Sequence, residues 1–392
     1  MNGIETLSSV CLILSLGLIF YHYLGYPAAV AAASVLLGGK QAQWSARPKV
    51  SLVIAAYNEE KVIADKIRNS LALDYPDLEI VVVADGSDDR TLERLSPFRN
   101  SGLVVLHDEN RKGKSAALNR GVAAASGEIF VFSDANAMYT PNAVSALVSA
   151  FSDMSVGAVS GCKLISVRGA AATGDAGFGK SESLYWRYEN LIRQSESKLG
   201  STVASIGEIF AIRRDTFRPI PVGVVNDDAY QTLDLLRRGM DVRYAPDARS
   251  EELASLSVAD ERLRRRRISA GRWLLLSNLK LWPLKRPWVL LALVSHKGLR
   301  LLMPFAFAAA LFANLVLALS GVGGSLVAVL LLAQVAFYGA SLVGRTAEAR
   351  GGAIWKASRL CYFIVSSNIS IMLGFLDWIS GRQSPIWSKA AR

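Results

Sequence analysis

"LEIVVVADGSDD", residues 78–89, decides how the chain folds: an apolar run from Ile80 to Ala84 passes directly into Asp85, Gly86 and Ser87. Such a run reads as a strand buried on both faces and closed by turn residues. The pattern recurs in "KVSLVIAAYNE" (49–59), "GLVVLHDE" (102–109) and "GEIFVFSDANAMYTP" (127–141). Between these runs, "EEKVIADKIRNSLAL" (59–73) has helical spacing in Val62, Ile63, Ile67 and Leu71, and "KSAALNRGVAAASGE" (114–128) reads as a second helix ended by Gly127. Strands joined by helices predict an α/β domain with a parallel sheet covered on both faces. Ligands of such sheets bind beyond the carboxyl ends of the strands.

Polar residues gather at those ends. Tyr57, Asn58 and Glu59 close the first strand, Asp85 the second, and Asp134 and Asn136 the fourth. Asp134 and Asn136, two apart in an extended chain, project to one side and offer two oxygen ligands to a hard cation. The competing reading is a turn, since Asp and Asn favour turns and Pro141 follows. Three strand termini bearing carboxylates at one rim favour a site over three unrelated turns.

Composition adds a membrane. The chain has 392 residues, 51% of them hydrophobic, and a mean hydropathy of +0.28, which is rich for a soluble enzyme. From Thr6 to Gly39 the one side chain that can carry charge near neutrality is that of His22, and Leu301 to Gly344 is free of charge, divided by "SGVGG" at 320–324. These read as one span followed by a hairpin of two. Lys40, Arg47 and Lys49 follow the first span while Glu5 precedes it, so the positive-inside rule places the domain behind it in the cytoplasm. The expected organisation is a membrane helix and linker at 1–44, a catalytic domain at 45–273, an interfacial region at 274–298, a hairpin at 299–345, and a loop with an interfacial or re-entrant helix and basic tail at 346–392. The multi-pass location expected is the inner (plasma) membrane. Cys11, Cys162 and Cys361 lie far apart and form neither a metal pattern nor a disulfide framework.

"VIAAYNEE", "VVVADGSDDRT", "RKGKSAALNRG", "FSDANA", "SIGEIFAIRR" and "NDDAYQTLDLLRRG" occur in this order over residues 49 to about 273. Together they resemble the membrane-embedded family 2 glycosyltransferases of the polysaccharide-synthase type (hyaluronan, cellulose and chitin synthases). The resemblance implies a GT-A-like, Rossmann-type nucleotide-sugar-binding domain, a divalent metal (Mg or Mn) and inversion at the anomeric carbon. It implies a UDP-sugar donor whose uracil and ribose are held by Ala56, Tyr57, Glu59 and Asp85. Lys114 is implied at the diphosphate, and Asp134 with Asn136 at the metal. Asn136 stands where a second Asp is usual, which removes one negative charge.

The same resemblance implies that Gly207 and Glu208 lie beneath the acceptor sugar and that Asp228, the second carboxylate of its pair with Asp227, is the base. From the residues alone, Asn226 or Asp227 is expected to cap a helix whose Leu233, Leu235 and Leu236 face inward and which ends at Gly239. "RLRRRRISAGRW" (262–273) has two readings: a polybasic segment at anionic lipid, or the family's segment over the donor, with Arg272 at the diphosphate and Trp273 at donor and acceptor. Ser269 stands where chain-extending synthases carry Gln, so repeated addition and single transfer both stay open. The expected partners are a nucleotide-sugar donor, a glycan or lipid-linked acceptor, membrane lipid, and polysaccharide-export or polymerase proteins; no nucleic acid is expected. The alternative class is a membrane-anchored nucleotide- or glycan-binding regulator without turnover.

Overall fold

The computed structural model describes residues 2–39, 44–151, 153–166, 176–253, 258–346 and 352–382. Helix α1 (Gly3–Phe20) passes through a π-helical turn, Tyr21–Gly25, into α2 (Tyr26–Leu36). The domain then opens with β1 (Val50–Ala56), α3 (Ile63–Leu71), β2 (Leu78–Asp85), α4 (Thr91–Leu95), β3 (Val104–Asp108), α5 (Lys114–Ala124) and β4 (Ile129–Asp134). It continues with β5 (Met138–Tyr139), α6 (Ala143–Ser149), β6 (Val156–Ser166), α7 (Ala176–Lys198), β7 (Phe210–Arg213), α8 (Asp227–Arg237) and β8 (Asp241–Leu253).

These strands form one eight-stranded sheet in the order β3-β2-β1-β4-β7-β6-β8-β5. The first four strands are parallel, as their unbroken apolar runs predict. Register sets Ala56 beside Ala84 and Ala55 beside Asp134, so the termini of β1, β2 and β4 do share one rim. The sheet is mixed rather than purely parallel: β7 runs antiparallel to both β4 and β6, and β5 antiparallel to β8. Phe210 pairs with Phe132, so β7 begins where β4 ends, which brings the turn at Gly207 and Glu208 to the rim of the parallel strands.

Both faces of the sheet are packed. Val50, Leu52 and Ile54 lie with Ile63 and Ile67 of α3 on one side, and Val53, Val81 and Val83 lie with Ala117 and Leu118 of α5 on the other. Helix α5 sits so close that a Cβ on Gly121 would lie 3.0 Å from Val83 Cγ2 and nearer still to Val53 Cγ1. Gly121→Ala is therefore expected to destabilise the fold by about 1–3 kcal/mol through overpacking, read as an earlier unfolding midpoint in denaturant.

Helix α9 (Val258–Ser277) leads through α10 (Pro287–Ala292) and a second π-helical turn, Leu293–Gly298, into α11 (Leu299–Leu319). Helices α12 (Gly324–Thr346) and α13 (Ala353–Ile379) follow. Among the described residues, four helical runs are long and apolar enough to cross a membrane: Gly3–Leu36, Pro287–Leu319, Gly324–Arg345 and Ile354–Ile379. Two boundaries differ from expectation. The break expected at 298 falls inside the run Pro287–Leu319, because the π turn carries the helix through "LVSHKG" without interruption. The expected interfacial or re-entrant helix at 361–381 is instead one continuous helix of 27 residues beginning at Ala353, with the length and hydropathy of a span. Its polar residues take guanidinium groups of α9: Ser366 Oγ accepts from Arg262 at 3.0 Å, Ser367 Oγ from Arg265 at 2.9 Å, and Asp377 pairs with Arg266. The loop at 347–351 and the tail beyond Arg382, Lys40 included with the former linker residues 40–43, lie outside the described residues.

Candidate active site

The rim opens into a cleft of about 860 Å3 roofed by α9 and α13. Ala56, Tyr57, Glu59 and Asp85 line one part of it. Asp85 is only 4% exposed, and its Oδ2 accepts from the backbone N–H groups of Lys112 (3.0 Å) and Gly113 (2.7 Å). It thereby holds the loop that delivers Arg111 and Lys114. Gly86 has φ +69° and packs against Arg111, where a Cβ would lie 2.7 Å from the Arg111 backbone nitrogen, so this turn requires glycine. The Arg111 guanidinium stacks on the Tyr57 ring, 3.5 Å from its centroid. Sequence reading leaves Arg111 either as a helper of Lys114 or as a solvated charge; it lines the cleft.

Lys114 opens α5 behind Gly113, whose φ of +91° is again a conformation for glycine. Its Nζ lies 2.6 Å from Asp134 Oδ1 and 3.6 Å from Asp227 Oδ2. Burial works against the ammonium charge, but Asp134, Asp227 and Asp228 outweigh it and hold the Lys114 pKa above the usual lysine value. Asp227 responds in the opposite sense. Burial lifts its carboxyl, Lys114 lowers it, Asp228 and Asp134 lift it again, and the result is a pKa near 6.

The sign follows: the folded pKa lies above the ordinary Asp value of about 3.9, so folding favours the neutral acid. That contribution is full below about pH 4 and is lost as pH rises through about 6. Relative to Asp227→Asn, the parent protein is expected to lose about 1–3 kcal/mol of stability between pH 4 and pH 7, measured as diverging thermal midpoints in detergent.

Asp228 lies next along α8. Its Oδ2 accepts from the Gly207 N–H at 3.2 Å and its Oδ1 from the Ala229 N–H at 2.8 Å. A Cβ on Gly207 would stand 3.2 Å from Asp227 Oδ2 and 3.3 Å from Lys114 Nζ, so this backbone closes on the charged cluster. The expected side-chain cap is not made: Asn226, at the N-cap, instead donates through Nδ2 to Ile268 O of α9 at 2.8 Å. The geometry thus turns Asn226 toward the roof and leaves the two aspartates facing the cleft.

Glu208 lines the cleft, yet its carboxylate is already engaged by Lys163 and by Ser250 Oγ at 2.7 Å. Lys163 also pairs with Glu252, whose Oε1 accepts from Asn136 Nδ2 at 2.7 Å. This buried network, Lys163 with two glutamates, escapes sequence reading because its members are 45 and 89 residues apart. Lys66 escapes it for another reason: it occupies an inward helical position expected to be apolar. Its Nζ donates at 2.5 Å to Ala137 O, directly under the Asp134 turn, and burial lowers its pKa to about 7.

A divalent ion fits these residues in one specific way. Among the described residues no group of three His, Cys, Asp or Glu side chains is arranged to hold a metal. Asp134 keeps 39% of its side chain open to the cleft, and Asn136, its amide nitrogen committed to Glu252, has its carbonyl oxygen as remaining donor. Two protein oxygens suit Mg or Mn that completes its shell with phosphate oxygens and water, and do not suit an all-protein cage.

Arg272 lines the cleft; Trp273 does not. The Trp273 ring stacks on Trp378, 5.5 Å between centroids, and touches Phe375 and Phe305. Successive residues on a helix face different directions, so a roof that points Arg272 inward turns Trp273 to α11 and α13. The sequence expectation of Trp273 at donor and acceptor is at odds with this placement. All other residues expected at the site are brought to the one cleft.

Comparison with known proteins shows what the chain is similar to. The family model "Glycosyl transferase family 2" matches residues 51–220. Poly-beta-1,6-N-acetyl-D-glucosamine synthase of Staphylococcus aureus (strain COL) is 27% identical over 205 residues, 50% of this chain and 48% of that protein. The Staphylococcus epidermidis protein of the same name is 25% identical over 205 residues, 51% and 48% of the two chains. This chain spans about half the length of the curated relatives it matches. Among solved structures, mannosyltransferase PcManGT from Pyrobaculum calidifontis, in complex with GDP-Man and Mn2+, superimposes with a TM-score of 0.72 at 24% identity, covering 95% of this chain and 100% of that one. The fold is accordingly GT-A-like, and residues 51–220 match the family 2 glycosyltransferase model.

Proposed function

We propose that the protein is an inverting membrane glycosyltransferase that moves a sugar from a nucleotide-diphosphate donor to a hydroxyl of a glycan or lipid-linked glycan, in cell-surface or exopolysaccharide synthesis. The observation that carries this is the convergence of Lys114, Asp134, Asp227 and Asp228 at one rim of a cleft whose other end is bounded by Tyr57 and Asp85. Tyr57 with Asp85 holds the base and ribose. Lys114 meets the diphosphate, and Asp134 with Asn136 holds the divalent ion, which when bound neutralises charge on the leaving nucleoside diphosphate. Asp228, held by the Gly207 N–H, takes the proton of the acceptor hydroxyl as its oxygen attacks the anomeric carbon.

The relatives support the metal and the donor class, since PcManGT binds GDP-Man and Mn2+. The positive residues behind the first apolar run favour a cytoplasmic catalytic domain. The test is nucleotide release by purified protein across a panel of UDP- and GDP-sugars with Mg or Mn. Turnover with at least one donor is expected. Donor binding that needs metal but never releases nucleotide would instead establish the regulator reading.

A further inference from the structure

The cleft does not stop at the carboxylates. Its lining continues under α9 to Arg272, Lys297 and Arg300, with Leu276, Leu293, Phe363 and Ile364 beside them. The ion pairs of Lys297 and Arg300 both end on Glu189, at 3.0 Å from Lys297 Nζ and in direct contact with Arg300. Arg272 makes no hydrogen bond or ion pair with any described residue. Two cations therefore share one carboxylate, and Arg272, with no described partner, adds a third positive charge to the same partly apolar chamber. Such a surplus is costly unless an anion joins it.

Two further features place this chamber in the reaction. Gly271 packs on Asn226, where a Cβ would lie 2.9 Å from Oδ1, so Arg272 adjoins the turn that carries Asp227 and Asp228. Lys297 lies in the π-helical turn Leu293–Gly298, a distortion that re-aims side chains and recurs at functional sites.

Resting on the glycosyltransferase reading above, we infer that this end of the cleft binds the phosphate or diphosphate of a long-chain lipid that carries the acceptor sugar. The headgroup sits between Arg272 and Lys297, and the hydrocarbon runs along Leu293, Phe363 and Ile364. In the reaction the bond from the anomeric carbon to the donor diphosphate breaks, its electron pair leaving with the diphosphate oxygen. The acceptor hydroxyl oxygen forms the new bond, and its proton passes to Asp228.

The experiment uses the full chain in nanodiscs of neutral phosphatidylcholine and labelled farnesyl diphosphate as the probe. Unlabelled farnesyl diphosphate is expected to compete at least about tenfold better than inorganic pyrophosphate or farnesol, and UDP is expected not to compete. Arg272→Gln and Lys297→Gln are each expected to weaken binding at least about tenfold, the worth of one charge-assisted hydrogen bond, with Lys297→Arg restoring most of it. Equal competition by pyrophosphate or UDP, or no binding of the probe by the parent protein, overturns the inference. Nucleotide release is scored on the same preparation. Release without probe binding overturns the lipid site and leaves the transferase reading intact; probe binding without release from any donor keeps the site and overturns its acceptor role.

Discussion

Asp228→Asn is expected to lower sugar transfer by about 100- to 10,000-fold while leaving donor affinity within about twofold, the signature of a lost general base. The structure explains why the two readouts separate. Asp228 is held by the Gly207 N–H and its own helix, whereas the proposed donor side of the rim consists of Asp85, Lys114 and Asp134. An interaction used only in the transition state affects turnover and not ground-state binding. Asp227→Asn is expected to cost less, about tenfold, because an amide still reaches Lys114 while only charge is lost. Calorimetric donor affinity beside transfer rate decides between them. If Asp228→Asn transfers near the parent rate and Asp227→Asn is dead, the base is Asp227; if neither binds donor, the start of α8 belongs to the nucleotide site.

Asp134→Ala is expected to lower turnover by at least about 100-fold, the scale for removing a principal electrostatic group. The substitution removes both the proposed metal ligand and the 2.6 Å partner of Lys114, so chelation alone is expected to reproduce most of the loss in the parent protein. Activity indifferent to both EDTA and the substitution would leave Asp134 as a mere counter-charge to Lys114 and sink the metal reading. Asn136→Asp is expected to impair activity severalfold, because the new carboxylate would face Glu252 where the amide now donates to it. Glu252→Gln added to it should restore the loss, measured as a double-mutant cycle.

The half of the domain made of parallel strands was legible because strands buried on both faces are written as continuous apolar runs: β1, β2 and β4 end where "AAYNE", "ADGSD" and "SDANA" turn polar. The rim residues followed from those ends. The other half resists such reading. Strand β6, "VGAVSGCKLIS", buries Ser160 and Lys163, and β8 buries Ser250 and Glu252, so neither has a clean apolar signature. Charges of that kind are tolerated only as partners of one another, and partnership across tens of residues is invisible to local pattern. The side of a helix is legible only when its neighbours are known, which is why adjacent Arg272 and Trp273 read alike in sequence although Arg272 lines the cleft and Trp273 does not. Likewise the serines and Asp377 in α13 looked unsuited to a spanning helix until α9 supplied their guanidinium partners.

That pairing has a consequence for engineering. The region matching the family model ends at residue 220, and the lid of its cleft is contributed by α9 and α13, the latter beginning more than a hundred positions later. Arg262, Arg265 and Arg266 reach outward to Tyr362, Ser366, Ser367 and Asp377, while Arg264 reaches inward to Glu182 and Glu261. A water-soluble fragment cut from this chain would thus be an open tray with the guanidinium groups of Arg262 and Arg266 orphaned along its edge, while Arg265 keeps Glu261 of its own helix. The catalytic unit is not modular: its portability is limited by a helix that, in sequence, belongs to the anchor.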